Sequence, residues 1–251
     1  MSVDRPDDDD AQLESADTPE AAAHASGRGG PETAGAEKDR AERLEAHAEQ
    51  RANAADAYRA YAIARACDRV RDIEETVTTP AMLRVEAADT SRTLVGLEFR
   101  LKGSERLSEK VAEAVEERGH SVAEAFGLVK DAIRYTLCYP EDRYSEGVLA
   151  DCDRLEAEGF GRFDRRNSWD EDEYKGINSR WRVPDGEQLF EVQFHTKASF
   201  EAKQETHGAY ERLRALPDES EVPQLRAYQR EVTAKVAVPP GAADIPDYRY
   251  P

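Results

Sequence analysis

FEVQFHT, residues Phe190 to Thr196, alternates apolar and polar side chains and reads as a β-strand. Strand side chains repeat every second residue, so Val192 and Phe194 would face a core while Glu191, Gln193 and His195 line the opposite face. A carboxylate, an amide and an imidazole in one row form a chemical set. The carboxylate can ligate Mg2+ or accept a hydroxyl proton, and the amide can orient a substrate. Read by itself, the row also fits an ordinary half-exposed strand.

The neighbouring sequence builds a sheet around this strand. Upstream, GRFDRRNSW and INSRWRV read as strands around the charged loop DEDEYKG, and PDG (184–186) is a turn signal, which makes a meander. AIRYTLCY is a strand closed by Pro140, and a helix over 144–158 is closed by Gly159. Earlier still, TLVGLEFRLKG reads as one strand ending at Gly103. SERLSEKVAEAVEERG then gives a helix stopped by Gly119, and Ser121 with Glu124 opens the next helix as a capping box. Downstream, a helix runs from Lys197 to about Leu216, and Pro217 and Pro223 bracket a loop. A last helix covers roughly 221–236. Between Ala36 and Thr76 the spacing of Leu44, Tyr58, Tyr61, Ile63, Val70 and Ile73 predicts one long helix or two, and Thr79-Pro80 reads as an N-cap followed by Pro at the first helical position. Crossover helices mixed with hairpins predict an α/β (α+β) fold, with a mixed sheet of about five strands flanked by helices.

Four segments follow. Residues 1–36 are rich in Asp, Glu, Ala, Gly and Pro and predict a disordered acidic tail; 37–90 is a helical segment, 91–237 the sheet domain, and 238–251 an irregular C-terminal tail. The net charge of −18 argues against a non-specific nucleic-acid binder, whose affinity comes from neutralising phosphates. Cys67, Cys138 and Cys152 form no CxxC pair and are expected to be reduced, partly buried thiols. No apolar run reaches the ~20 residues a membrane helix needs. The acidic N-terminus lacks the apolar region of a secretory signal, so the expectation is a cytoplasmic protein without membrane contact.

Three further stretches carry chemistry. Arg100 and Lys102 on the expected strand, with Arg106 and Lys110 one helical turn apart, can aim four cations at one small volume, where a polyphosphate is the natural guest; a solvated charged helix face is the alternative. In KDAIRYT, Asp131 stands before Arg134 at a strand edge, where a carboxylate can hold Mg2+ together with substrate phosphates, or simply close a turn. For the two to cooperate, Asp131 must lie before the strand proper, since residues three apart on a strand point to opposite faces. In YKGIN, Tyr174 beside Gly176 can offer a flat face to a base or cover the edge of the core.

FRLKGSERLSEK, KDAIRYT, YKGINSRW and FEVQFHT, followed by AKQETHGAYERLR, together resemble the RelA/SpoT synthetase family of pyrophosphokinases, a nucleotidyltransferase-like group, over roughly residues 94–215. The resemblance is closest to the small, single-domain and toxin-like branch. It implies transfer of the β,γ-pyrophosphate of ATP, with Mg2+, to the 3′-hydroxyl of a purine nucleotide, leaving AMP. In that scheme Arg100, Lys102, Arg106, Lys110 and Arg134 hold ATP. Asp131 and Glu191 hold the metal, with Glu191 as base and Gln193 orienting the hydroxyl. Tyr174, Asn178 and His195 receive the acceptor. Asp131 stands closer to its Arg than in the long members, Asn178 replaces a His, and His195 replaces an Arg. No His-Asp dipeptide of the family's hydrolase half occurs. A chain that makes such a product without removing it implies a growth-inhibitory role or a neutralising antitoxin or immunity partner. A tRNA 3′ end is the alternative acceptor, with Arg162, Arg165, Arg166, Arg180 and Arg182 as its local basic patch, and a catalytically silent nucleotide-binding module is the alternative outside enzymes.

Overall fold

The computed structural model describes residues 31–184, 186, 188–215 and 219–249. The expected tail over 1–30, Asp185 of the turn and the loop start at Leu216-Pro217 lie outside the described residues. Helix α1 (Pro31–Ile73) begins inside the stretch read as tail. Contacts divide the chain into two units between Asn53 and Ala54. In the first, residues 35–53 are exposed throughout.

Ile63, Cys67 and Val70 of α1 join the core, as do Ala81, Met82 and Val85 of α2 (Thr79–Ala87). The two helices are not separated by a cap. The backbone runs on through a π turn, Glu74–Thr78, and Thr78 makes no side-chain cap bond. Pro80 has no N–H to give, so the turn before it can widen at little extra cost. The Thr79 hydroxyl instead bonds Glu74 and the Tyr135 hydroxyl, the latter at 2.6 Å.

The sheet has six strands in the order β1-β2-β5-β4-β3-β6. β1 (Thr93–Val95) is antiparallel to β2 (Arg134–Tyr139), and β2 is parallel to β5 (Leu189–Thr196). β5, β4 (Ile177–Arg182) and β3 (Gly161–Asn167) form the antiparallel meander, and β6 (Tyr248–Arg249) closes the far edge. This is the mixed sheet the sequence predicts, with one strand more. α3 (Ser104–Arg118) ends at Gly119 with φ 67°, and α4 (Val122–Leu128) opens on the Ser121–Glu124 capping box, both as read. α5 (Tyr144–Ala157), α6 (Lys197–Arg214) and α7 (Val222–Thr233) complete the unit.

One sheet face carries Tyr135, Leu137, Tyr139, Phe190, Val192 and Phe194, all buried. α5 packs there: Tyr144 meets Tyr139 edge-on at 5.6 Å, and its hydroxyl donates to the Phe194 carbonyl at 2.8 Å. The same layer buries an Arg92–Asp151 ion pair, both side chains fully covered, with Tyr139 donating to Asp151 at 2.7 Å.

TLVGLEFRLKG is not one strand. Gly96 takes φ 64°, a 3-10 turn follows over Leu97–Phe99, and the chain returns to the sheet as a single bridge between Leu101 and Ile133. Glycine's access to left-handed backbone permits the break. The C-terminal tail is irregular over 238–247, as read, but it is packed against the sheet and ends in a two-residue strand. Ala242 and Ile245 enter the core, the Asn167 amide donates to the carbonyls of both at 2.8 Å, and β6 pairs with β3.

Candidate active site

Asp131 sits in the turn before β2, which meets the condition set by its spacing to Arg134. The segment 100–102 runs antiparallel beside 132–134, with Lys102 N–H donating to Ala132 O at 2.9 Å and Arg134 N–H to Arg100 O at 2.7 Å. That places Lys102 Nζ 2.5 Å from Asp131 Oδ2, and Lys110 Nζ reaches Oδ1 from α3 at 3.3 Å. Burial alone would raise the Asp131 carboxyl. The two ammoniums outweigh it and hold the group below its ordinary value.

The other basic positions do not all converge. Arg106 is exposed on α3. Arg100 follows the 3-10 turn instead of sharing a strand face with Lys102, and its Nε donates to buried Glu74 of the π turn at 2.6 Å. Two of the four cations, Lys102 and Lys110, therefore meet on Asp131.

Across the sheet, register builds a second group. Arg134 on β2 pairs with Glu191 on β5, Glu191 with Arg180 on β4, Arg180 with Asp164 on β3, and Asp164 with Arg249 on β6. Directly paired residues share a face, so one row crosses five strands with alternating charge. Arg180 forks onto both carboxylate oxygens of Asp164. Glu191 is bonded only by the Gln193 amide among the described side chains, at 3.2 Å to Oε2. Burial pushes its carboxyl above the ordinary value, the nearby Arg134 charge and the Gln193 bond pull it partly back, and the Asp131 charge raises it further. The two carboxylates feel each other, yet their surroundings shift them in opposite directions, Asp131 below its ordinary value and Glu191 above it.

The face expected to be open is covered. α6 lies over it, leaving Gln193 5% and His195 0% exposed. Alternation in the sequence separates the two faces of a strand but does not show whether a helix roofs the polar one. His195 has both ring nitrogens engaged, Nδ1 with the Ser199 hydroxyl and Nε2 with the Tyr174 hydroxyl, each at 2.9 Å. Burial and the Lys203 charge lower its pKa well below the ordinary value, so the ring is neutral. His195 therefore anchors Tyr174 and offers no free edge to an acceptor. Tyr174 also donates to Asn178 Oδ1 at 3.0 Å, which pins its half-buried ring at the hydroxyl end. Its loop is held from α7, where Arg226 and Arg230 grip Glu173 at 2.8 and 2.9 Å, and by Lys175 on the Trp169 carbonyl at 2.7 Å.

Sequence reasoning missed Lys203. It lies on α6, its Nζ 2.5 Å from Gln193 Oε1, and burial followed by repulsion from Arg134 lowers its pKa to about 8. Its signal was the helical step of seven from Thr196 onto a covered sheet face, which becomes visible only once α6 is known to cross β5. Glu74 was missed because a π turn leaves no mark in the hydrophobic period.

Among the described residues no three His, Cys, Asp or Glu side chains group as a metal cage. Mg2+ does not need one, because it takes one or two carboxylates and completes its shell with water and phosphate oxygens. Asp131 and Glu191, two carboxylates close enough to repel and backed by cations, fit that donor set.

Of the arginines read as a tRNA patch, four are engaged within the chain. Arg162 binds Glu156 and Asp153, Arg165 is buried with its Nε on the Pro246 carbonyl, Arg166 binds Glu171, and Arg180 binds Asp164. The Arg182 guanidinium lies over the Phe163 ring. All three cysteines are free, and Cys67 and Cys152 are buried. Among the described residues no helix is long and apolar enough to cross a membrane.

No protein-family model and no curated protein matches the chain. Among solved structures it is similar to small alarmone synthetase 2 from Bacillus subtilis, with 11% identity over 68% of this chain and 89% of that one and a TM-score of 0.46. A GTP pyrophosphokinase family protein from Streptococcus pneumoniae matches with 14% identity over 70% and 84%, TM-score 0.42. The protein smu.1046c from Streptococcus mutans UA159 matches with 14% identity over 70% and 87%, TM-score 0.42.

Proposed function

We propose that this chain transfers pyrophosphate from ATP to a hydroxyl of a purine nucleotide and releases AMP. The observation that carries the reading is the divided carboxylate pair. Asp131, paired with Lys102 and Lys110 in the turn before β2, is held below its ordinary value, and Glu191 on the adjoining strand β5 is raised above its own by burial, beside an anchored tyrosine. The order and spacing of the RelA/SpoT-like stretches support it from the sequence side.

The residues divide the work as follows. Lys102 and Lys110 rest on Asp131 and would turn to the donor phosphates as these arrive. Arg134 lies along the same row and adds a fixed charge where phosphate oxygens gather. Tyr174, fixed at its hydroxyl by Asn178 and His195, would hold the acceptor base by its ring. Glu191 would accept the proton of the attacking hydroxyl. A Mg2+ ion held at Asp131 would neutralise charge developing on the transferred group; such reactions depend on positioning and electrostatics more than on covalent steps.

The test is to incubate the purified protein with Mg2+, ATP and, in turn, AMP, ADP, GMP, GDP and GTP, and to separate the nucleotides by chromatography. A species heavier than the acceptor by one pyrophosphate, formed with AMP and lost in Glu191→Gln, is the expected result. Failure with every free nucleotide would refute the reading.

A further inference from the structure

Lys203 has no role in the chemistry described so far, yet its ammonium is kept in a costly place. It is half-buried and faces Glu191 and His195 on β5, Arg134 and Cys138 on β2, and the Phe200 ring of its own helix, 5.5 Å from the ring centroid. Its position is set from the end of β5. Thr196 and Ser199 cap each other reciprocally at the start of α6, and Ser199 also holds His195. The helix therefore starts at a fixed angle, and Lys203 reaches Gln193 from directly above.

We propose that Lys203 is a positioning residue that fixes which way round the Gln193 amide sits, and thereby which oxygen of Glu191 meets the attacking hydroxyl. An ammonium has donors and no acceptor. At 2.5 Å from Nζ, the nearer Gln193 atom must be the oxygen, so Nε2 must face Glu191, where it lies 3.2 Å from Oε2. The reverse orientation would set donor against donor at Lys203 and acceptor against acceptor at Glu191. With Gln193 5% exposed, water has little access to correct the choice. The result is a chain from ammonium to amide carbonyl and from amide N–H to carboxylate. It occupies Oε2 of Glu191 and leaves Oε1 for a hydroxyl proton. Lacking Lys203, the amide can turn its carbonyl toward Glu191, and the carboxylate loses both its bond and its orientation.

This inference rests on the pyrophosphate-transfer reading for its kinetic arm alone. Lys203→Met keeps the length of the stem and removes the donors; Lys203→Arg restores them. The expected result is that Lys203→Met lowers kcat by about 10- to 100-fold, by analogy with the loss of a group that orients a metal ligand. KM for ATP should stay within about threefold, and Lys203→Arg should recover most of the rate. A second arm needs no turnover. In the full chain with 15N-labelled glutamine, the Gln193 side-chain N–H pair, assigned through Gln193→Leu, should be shifted and slow to exchange in wild type. It should return to free-amide behaviour in Lys203→Met and be restored in Lys203→Arg. Equal loss of rate in both lysine variants, or a Gln193 signal indifferent to Lys203→Met, would overturn the proposal. An inactive wild type that still shows the Lys203-dependent amide signal would refute the reaction and uphold the positioning.

Discussion

Gly176 offers the sharpest structural handle on the site. Its φ of 152° lies in a region that side chains avoid, and a Cβ added there would stand 2.7 Å from His195 Cε1, 3.0 Å from Nδ1 and 3.2 Å from the Phe194 carbonyl. The imidazole cannot yield cheaply, because it is fully buried and bonded at both nitrogens. Backbone strain of this kind costs about 1–3 kcal/mol, and overpacking a filled site costs a similar amount. Gly176→Ala should therefore destabilise the protein by about 2–5 kcal/mol, read as a lower denaturant midpoint at unchanged slope. Displacing His195 also loosens Tyr174, so the acceptor KM should rise while ATP binding, measured by titration calorimetry, holds. Gly208→Ala is the control: it lies in α6 with nothing within 4 Å of the added carbon, and should stabilise by up to about 1 kcal/mol through helix propensity alone. A Gly176→Ala protein with the wild-type midpoint and acceptor KM would refute the chain of contacts from Gly176 through His195 to Tyr174.

Glu191→Gln should raise thermal stability at neutral pH even as it removes activity. The folded pKa of Glu191 lies above its unfolded value, so the penalty for its charge is absent below the ordinary carboxylate range and complete above the raised folded value; melts at pH 4 and pH 7.5 should show the gain at the higher pH only. Asp131 has the opposite sign. Its lowered pKa contributes stability at neutral pH that is lost as pH falls through the folded value, so Asp131→Asn should cost stability at pH 7.5 and little in strong acid. Asp151→Asn leaves the fully buried Arg92 without its counter-charge and should cost about 3–5 kcal/mol in a urea melt, without any change in nucleotide binding.

Much of this was legible in the sequence because it rests on local rules. The β5 alternation, the Ser121–Glu124 capping box, the Gly119 stop and the position of Asp131 ahead of β2 each depend on a few neighbouring residues, and each stands where the sequence put it. The meander and the mixed sheet follow from turn and helix signals in order. What failed depends on distant partners. Gly96 breaks a run that alternates as well as any strand, and nothing nearby announces the turn. β6 is two residues long and exists because β3 is there to receive it. Gln193 and His195 were read as open because a strand's period does not record the helix that roofs it, and that same roof hid Lys203. Arg100 was assigned to phosphate because its partner, Glu74, lies 26 residues earlier in a π turn.

The central claim is that the β,γ-pyrophosphate leaves ATP as a unit and ends on an acceptor hydroxyl that gives its proton to Glu191. It is tested most directly with two ATP preparations, one labelled at the α-phosphate and one at the γ-phosphate, each incubated with Mg2+ and a purine nucleotide acceptor. The account predicts that the α label appears in AMP and the γ label in the enlarged acceptor, in equal amounts, and that Glu191→Gln abolishes both. Release of the γ label as free orthophosphate with ADP, or equal product from Glu191→Gln, would contradict it.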